Sequence, residues 1–158
     1  MPRLVKGGKY VYGWSEVGNN GKIVVPSEAL TEYNFETPSN VIMMPGSKRS
    51  GGFALTTPTM LKNSQLSVLL DDEPRLARFE LTEGETVTVG KRIYSWVKLN
   101  RDGSFMVPVE TLKKYGVNSG DRLLSVRGSG LALAFIVRGP LIAEAKKHTT
   151  LLSFQVNE

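Results

Sequence analysis

The chain has no cysteine and a single histidine, His148, in 158 residues. That excludes disulfides, thiol catalysis and Cys/His metal sites. A Ser-His-Asp triad would have to recruit His148 from a polar tail, where it reads as a solvated residue. No apolar run approaches the roughly 18 residues of a membrane-spanning helix. The opening Met-Pro-Arg-Leu-Val-Lys carries no signal-peptide core, so a soluble cytoplasmic protein with no membrane partner is expected. No nucleophile, base and acid recur in a converging pattern, so neither an enzyme nor a cofactor is expected.

What the sequence does contain is a repeat. Gly21-Lys-Ile-Val-Val-Pro-Ser-Glu-Ala-Leu-Thr-Glu-Tyr33 returns 82 residues later as Gly103-Ser-Phe-Met-Val-Pro-Val-Glu-Thr-Leu-Lys-Lys-Tyr115. The match extends to Gly8-Lys9 with Gly90-Lys91, Tyr12 with Tyr94, Trp14 with Trp96, and Gly46-Ser47 with Gly128-Ser129. From residue 8 to residue 47 it needs no gap, and 12 of 40 positions are identical. Two copies are too few for a solenoid, so the repeat predicts one pseudo-twofold domain. Its parts are a first repeat (8–57), a connection (58–89), a second repeat (90–139) and a C-terminal helix and strand (140–158).

The residues of each copy predict the same elements. Tyr10, Tyr12 and Trp14 alternate with smaller residues, as Arg92, Tyr94 and Trp96 do, which is a strand pattern with the shared aromatics as packing residues. Asn-Gly at 20–21 and Asp-Gly at 102–103 are hairpin signals. Short strands follow at 23–25 and 105–107. Pro26 and Pro108 then suit a first helical position, and Glu28 and Glu110 fall in the first turn, where a carboxylate meets free amides. Asn34 and Gly116 suit the left-handed conformation that ends a helix, with Phe35 and Val117 folding back.

Strands are expected at 41–44, 123–126, 53–55 and 131–137, and short helices from Pro58 and Pro140. The Gly-rich segments 46–52 and 127–130 lack a P-loop ending and read as hairpin turns. In the connection, Gln65–Leu70, Leu76–Leu81 and Thr86–Val89 read as extra strands, and 151–156 as a last one. Asp71-Asp72-Glu73 reads as an exposed turn rather than a cation site.

The net charge of +5 is unevenly spread. The first repeat is neutral, the connection carries −3 and the second repeat carries +6. A basic half beside an acidic connection suits a polyanion-binding surface.

The unit of strand, Gly turn, strand ending in Pro, short helix, Gly or Asn, and β-hairpin resembles the AbrB-type (SpoVT/AbrB, MazE-like) swapped-hairpin family. The second copy, Asp102 to Arg122, is the better match; the first has Pro38-Ser39 where the family usually has Gly-Asp. The resemblance implies a mainly β fold with short helices: a pseudo-twofold swapped-hairpin β-barrel whose two interlaced copies lie in one chain, as in tandem-repeat MraZ-like relatives. It also implies a transcriptional regulator that binds double-stranded DNA and forms a homo-oligomer. Carried over by position, the DNA-contacting bases are Lys91, Lys98, Arg101 and Lys113; the first copy has only Lys9 at an equivalent position, beside Glu16, Asn19 and Thr31, with Lys22 as its one other nearby base. Arg92 and Arg127 join them, and Arg92, Arg101 and Arg127 are the candidates for guanine edges. The alternative is a protein-interaction or assembly module of the same fold that does not bind DNA.

Overall fold

A computed structural model describes residues 3–4, 10–127, 131–147 and 153–154. A short strand β1 (Arg3–Leu4) precedes β2 (Tyr10–Glu16), which carries the alternating aromatics. The Asn-Gly turn leads to β3 (Lys22–Val24), with Gly21 at φ +81° and the Asn20 side-chain oxygen accepting the Lys22 N–H at 3.2 Å. Helix α1 (Ser27–Glu32) follows, then β4 (Ser39–Pro45) and β5 (Phe53–Thr56). Pro26 is the last non-helical residue before α1, one position earlier than the sequence predicts. Asn34 ends the helix at φ +54°, and the Phe35 N–H closes onto the Leu30 carbonyl at 3.0 Å.

The connection departs from expectation. α2 (Pro58–Lys62) is the helix expected from Pro58, but α3 (Ser67–Asp72) and α4 (Pro74–Ala77) stand where strands at 65–70 and 76–81 are predicted, before a single strand, β6 (Val87–Val89). A short apolar run does not distinguish strand from buried helix. Here the spacing of Leu66, Leu69, Leu70, Leu76 and Phe79 supplies one apolar helical side. It packs with Ile42, Met44, Ala54 and Tyr94 of the neighbouring strands. The Asp71–Asp72 pair is exposed, at the end of α3 rather than in a turn.

The second copy repeats the first. It runs β7 (Arg92–Leu99), β8 (Ser104–Met106), α5 (Val109–Lys114), β9 (Arg122–Arg127) and β10 (Leu133–Ile136), and the C-terminal α6 (Pro140–Ala145) and β11 (Ser153–Phe154) follow. Gly116 ends α5 at φ +79°, and the Val117 N–H reaches the Leu112 carbonyl at 2.9 Å. Of the predicted last strand, Ser153–Phe154 is seen; the rest lies outside the described residues.

The strands pair between the copies more than within them. The main sheet runs β1-β2-β9-β10-β5-β4-β7-β6, with β11 parallel to β2, and β3 pairs β8 in a second small sheet. Trp14 lies opposite Leu124, and 82 residues away Trp96 lies opposite Ile42. Phe53 pairs with Phe135, and Ile23 with Phe105, so each of these residues faces its own counterpart in the repeated stretch.

The fold is mainly β with short helices, but the sheet is open: β1 and β6 stand at its two ends and do not pair. This corrects the expected barrel. Closure is unnecessary because each face of the sheet has its own cover. One face packs with β3, β8, α1 and α5 around Phe53, Phe105 and Phe135. The other is covered by α6 at one end, through Ile142 and Ala145, and by α2 to α4 at the other, through Leu61, Leu69 and Leu76. Among the described residues no helix is long and apolar enough to cross a membrane.

Candidate nucleic-acid interface

The bases predicted to contact DNA fall into two groups. Lys9 lies outside the described residues. Arg92 opens β7 just after Lys91, whereas Lys98 is its next-to-last residue and Arg101 sits in the turn beyond. At about 3.3 Å per residue, the length of β7 separates its ends by roughly 23 Å. The Lys98 and Arg101 end, with Lys22 on β3, is mixed in charge. Glu83 accepts the Lys98 backbone N–H at 2.9 Å. Asp102 lies beside Arg101, its carboxyl held below the usual range first by the Ser104 hydroxyl and N–H and then, more weakly, by Lys22.

The other end is different. Between the β4–β5 connection and the end of α5 lies a cleft of about 300 Å³. Among the described residues Lys48, Lys113, Lys114 and Arg138 line it, and no acidic side chain does. Arg138 Nη2 donates to the Lys48 carbonyl at 2.8 Å. A Cβ at Gly51 would stand 2.6 Å from Arg138 Nη1, so glycine there leaves room for the guanidinium. Arg92 Nη2 donates to the Pro45 carbonyl on the cleft rim at 2.9 Å, and Lys114 Nζ to Thr86 Oγ1 at 2.9 Å. All three cations bond neutral acceptors, and none of them forms an ion pair among the described residues. Lys48 and Lys113 form no ion pair among the described residues.

Sequence reasoning found Arg92 and Lys113 here but missed Lys48, Lys114 and Arg138, along with Arg49 in the same connection. The adjacent pairs Lys48-Arg49 and Lys113-Lys114 were a signal. Arg138 had none, because it reaches the cleft only through the pairing of β10 with β5 and β9. The neutral first copy also contributes: Lys48 belongs to it, so the basic surface is not a property of one repeat.

Eighty-two residues away in register lies a counterpart cleft of about 410 Å³, lined by Glu32, Tyr33, Asn34, Met60 and Arg127. Glu32 stands where the basic cleft has Lys114, Asn34 where it has Gly116, and Arg127 where it has Pro45. One Glu32 oxygen accepts the Tyr12 hydroxyl and the other accepts Arg127 Nη2. The Arg127 guanidinium also lies 4.4 Å from the centre of the Tyr10 ring, a cation–π contact. Burial, then the hydrogen bond to Glu32, pushes the Tyr12 hydroxyl well above its ordinary range, so it stays a neutral donor. Arg127, predicted to reach DNA, is thus held in an ion pair within its own chain.

The chain matches no family model, no curated protein and no solved structure.

Proposed function

We propose that the chain is a DNA-binding transcriptional regulator of the AbrB type, its two copies exchanging hairpins about a pseudo-twofold axis. The pairs Phe53–Phe135 and Ile23–Phe105 support that symmetry, because a residue meets its own counterpart only on a twofold axis. The observation that carries the function is the acid-free cleft with Lys48, Lys113, Lys114 and Arg138. Arg49, Lys91 and Arg92 extend it along the same end. Such a surface binds the phosphate backbone and positions the duplex; sequence is then read by side chains that reach base edges.

The test is fluorescence anisotropy of a labelled duplex at several salt concentrations. Four phosphate contacts give a slope of log affinity against log salt near about −3.6, at about −0.9 per contact. Lys48→Glu with Lys113→Glu should flatten the slope to about −1.8 or less and weaken binding. The mixed-charge end gives the control: Lys98→Glu with Arg101→Glu should have the smaller effect. If the cleft pair leaves affinity unchanged while the control pair abolishes it, the interface lies at the other end.

A second reading, an assembly module that does not bind DNA, is favoured by the open ends of the main sheet, since an unpaired edge is a template for another chain. A stable homo-oligomer by light scattering, with no duplex affinity even at low salt, would select it.

A further inference from the structure

Resting on the phosphate-binding reading above, we propose that Glu32 makes the chain one-ended toward DNA. It fills the counterpart cleft with a carboxylate clamped by Arg127 and Tyr12, so that this cleft refuses the polyanion its twin accepts. The two clefts derive from the same stretch of the repeat and differ in charge. Among the described residues the basic one is lined by four cations and no anion, and the counterpart by Glu32 against Arg127, whose charges cancel.

Three features make Glu32 the discriminating residue. It occupies the position of Lys114, so one side chain exchanges a donor cation for a repelling anion. Both of its oxygens are engaged, by Tyr12 and by Arg127, which holds the carboxylate at the cleft instead of letting it swing away. The same bond consumes Arg127, the one cation lining this cleft among the described residues, whose guanidinium is further covered by Tyr10. The Glu32 and Arg127 side chains remain 34% and 41% exposed, so the pair stands where an approaching phosphate would meet it. A phosphate entering would meet a carboxylate whose charge Arg127 already balances, and would have to break that ion pair to gain a partner.

A chain built this way binds one duplex through one end, and its operator contact is asymmetric despite the internal symmetry of the fold. The counterpart end is left for other surfaces.

The experiment counts duplexes per chain by native mass spectrometry, using a short labelled duplex of random sequence, with salt slopes from anisotropy. The full chain is compared with Glu32→Lys, with Glu32→Gln, with Lys48→Glu/Lys113→Glu, and with the triple variant that combines the last pair with Glu32→Lys. One duplex per chain is expected for the unmodified protein, two for Glu32→Lys, only a weakened event with a flattened salt slope for the cleft pair, and one event of restored affinity for the triple variant. Glu32→Gln keeps an acceptor for Tyr12 while removing the charge. It should show a second, weaker event at low salt, and it decides the matter if circular dichroism shows that Glu32→Lys has not folded. If both Glu32 variants bind one duplex with an unchanged slope, Glu32 is not the discriminator, although DNA binding itself stands. If the unmodified chain binds no duplex, the DNA reading fails and the role of Glu32 fails with it.

Discussion

Replacing Phe53 with alanine removes the side chain on which the central strands of the two copies meet. Phe53 is fully buried. Its ring lies 5.2 Å from Phe135 in a stacked arrangement, and 6.0 Å from both Phe105 and Tyr115. Truncating a buried phenylalanine costs about 3–5 kcal/mol through lost burial and the cavity left behind. Each well-placed aromatic pair adds about 0.5–1.5 kcal/mol beyond area burial, and three are lost here, which places the expected cost near the upper end, about 4–5 kcal/mol. A domain of this size has about 5–15 kcal/mol in all, so the loss is a large fraction of it. The assay is equilibrium urea unfolding followed by circular dichroism. With a urea dependence of about 2 kcal/mol per molar, the midpoint should fall by about 2 M. Phe135→Ala should behave alike. The double variant should depart from additivity by more than about 0.5 kcal/mol, because the two rings share one contact. Val68→Ala, at an exposed position, should stay within about 0.5 kcal/mol. A Phe53→Ala loss below about 1.5 kcal/mol, or full additivity with Phe135→Ala, would refute the reasoning.

Two further predictions concern pH. The Asp102 carboxyl accepts the Ser104 N–H at 3.0 Å and its hydroxyl at 2.6 Å, and its acidity is raised by those bonds. Its stabilisation is therefore present at neutral pH and lost as the pH falls below about 3.9 through the lower folded value. Asp102→Asn should lower the thermal midpoint at neutral pH and converge with the parent protein in acid; a difference that persists unchanged in acid would count against this. Burial pushes the Tyr115 hydroxyl up to about 12, opposed by its hydrogen bond to Ser95. Because the unfolded chain then loses that proton first, the contribution is intact below about pH 10 and fades as the pH rises through the folded value. Tyr115→Phe should make the alkaline fall in stability shallower, and an unchanged slope in alkaline denaturation would rule Tyr115 out as its source.

Much of the local structure was legible in the residues. Asn34 and Gly116 end their helices with positive φ, and Gly21 and Gly103 turn their hairpins. Even Asn20 and Asp102 make the same turn contact, one neutral and one charged. The alternating aromatics were harder. A bulge between Val11 and Gly13 puts Tyr12 in the core beside Phe35 and Trp14 in the opposite core beside Ile142, although strict alternation would place both on one side. The connection was misread because Leu66 to Leu81 is apolar enough for either element, and only packing under Ile42 and Tyr94 selects the helix.

The repeat, its turns, its short helices and its uneven charge were determined by the sequence alone, because each depends on the sterics or composition of a few neighbouring residues. The tertiary structure decided that the sheet stays open, that Arg138 meets Lys48 across 90 residues, and that Arg127 meets Glu32 across 95. These are consequences of strand pairing between the copies, and a slip of one residue in that register would turn every side chain to the other face. Which charges converge and which cancel is therefore set by long-range register, and no local pattern carries it.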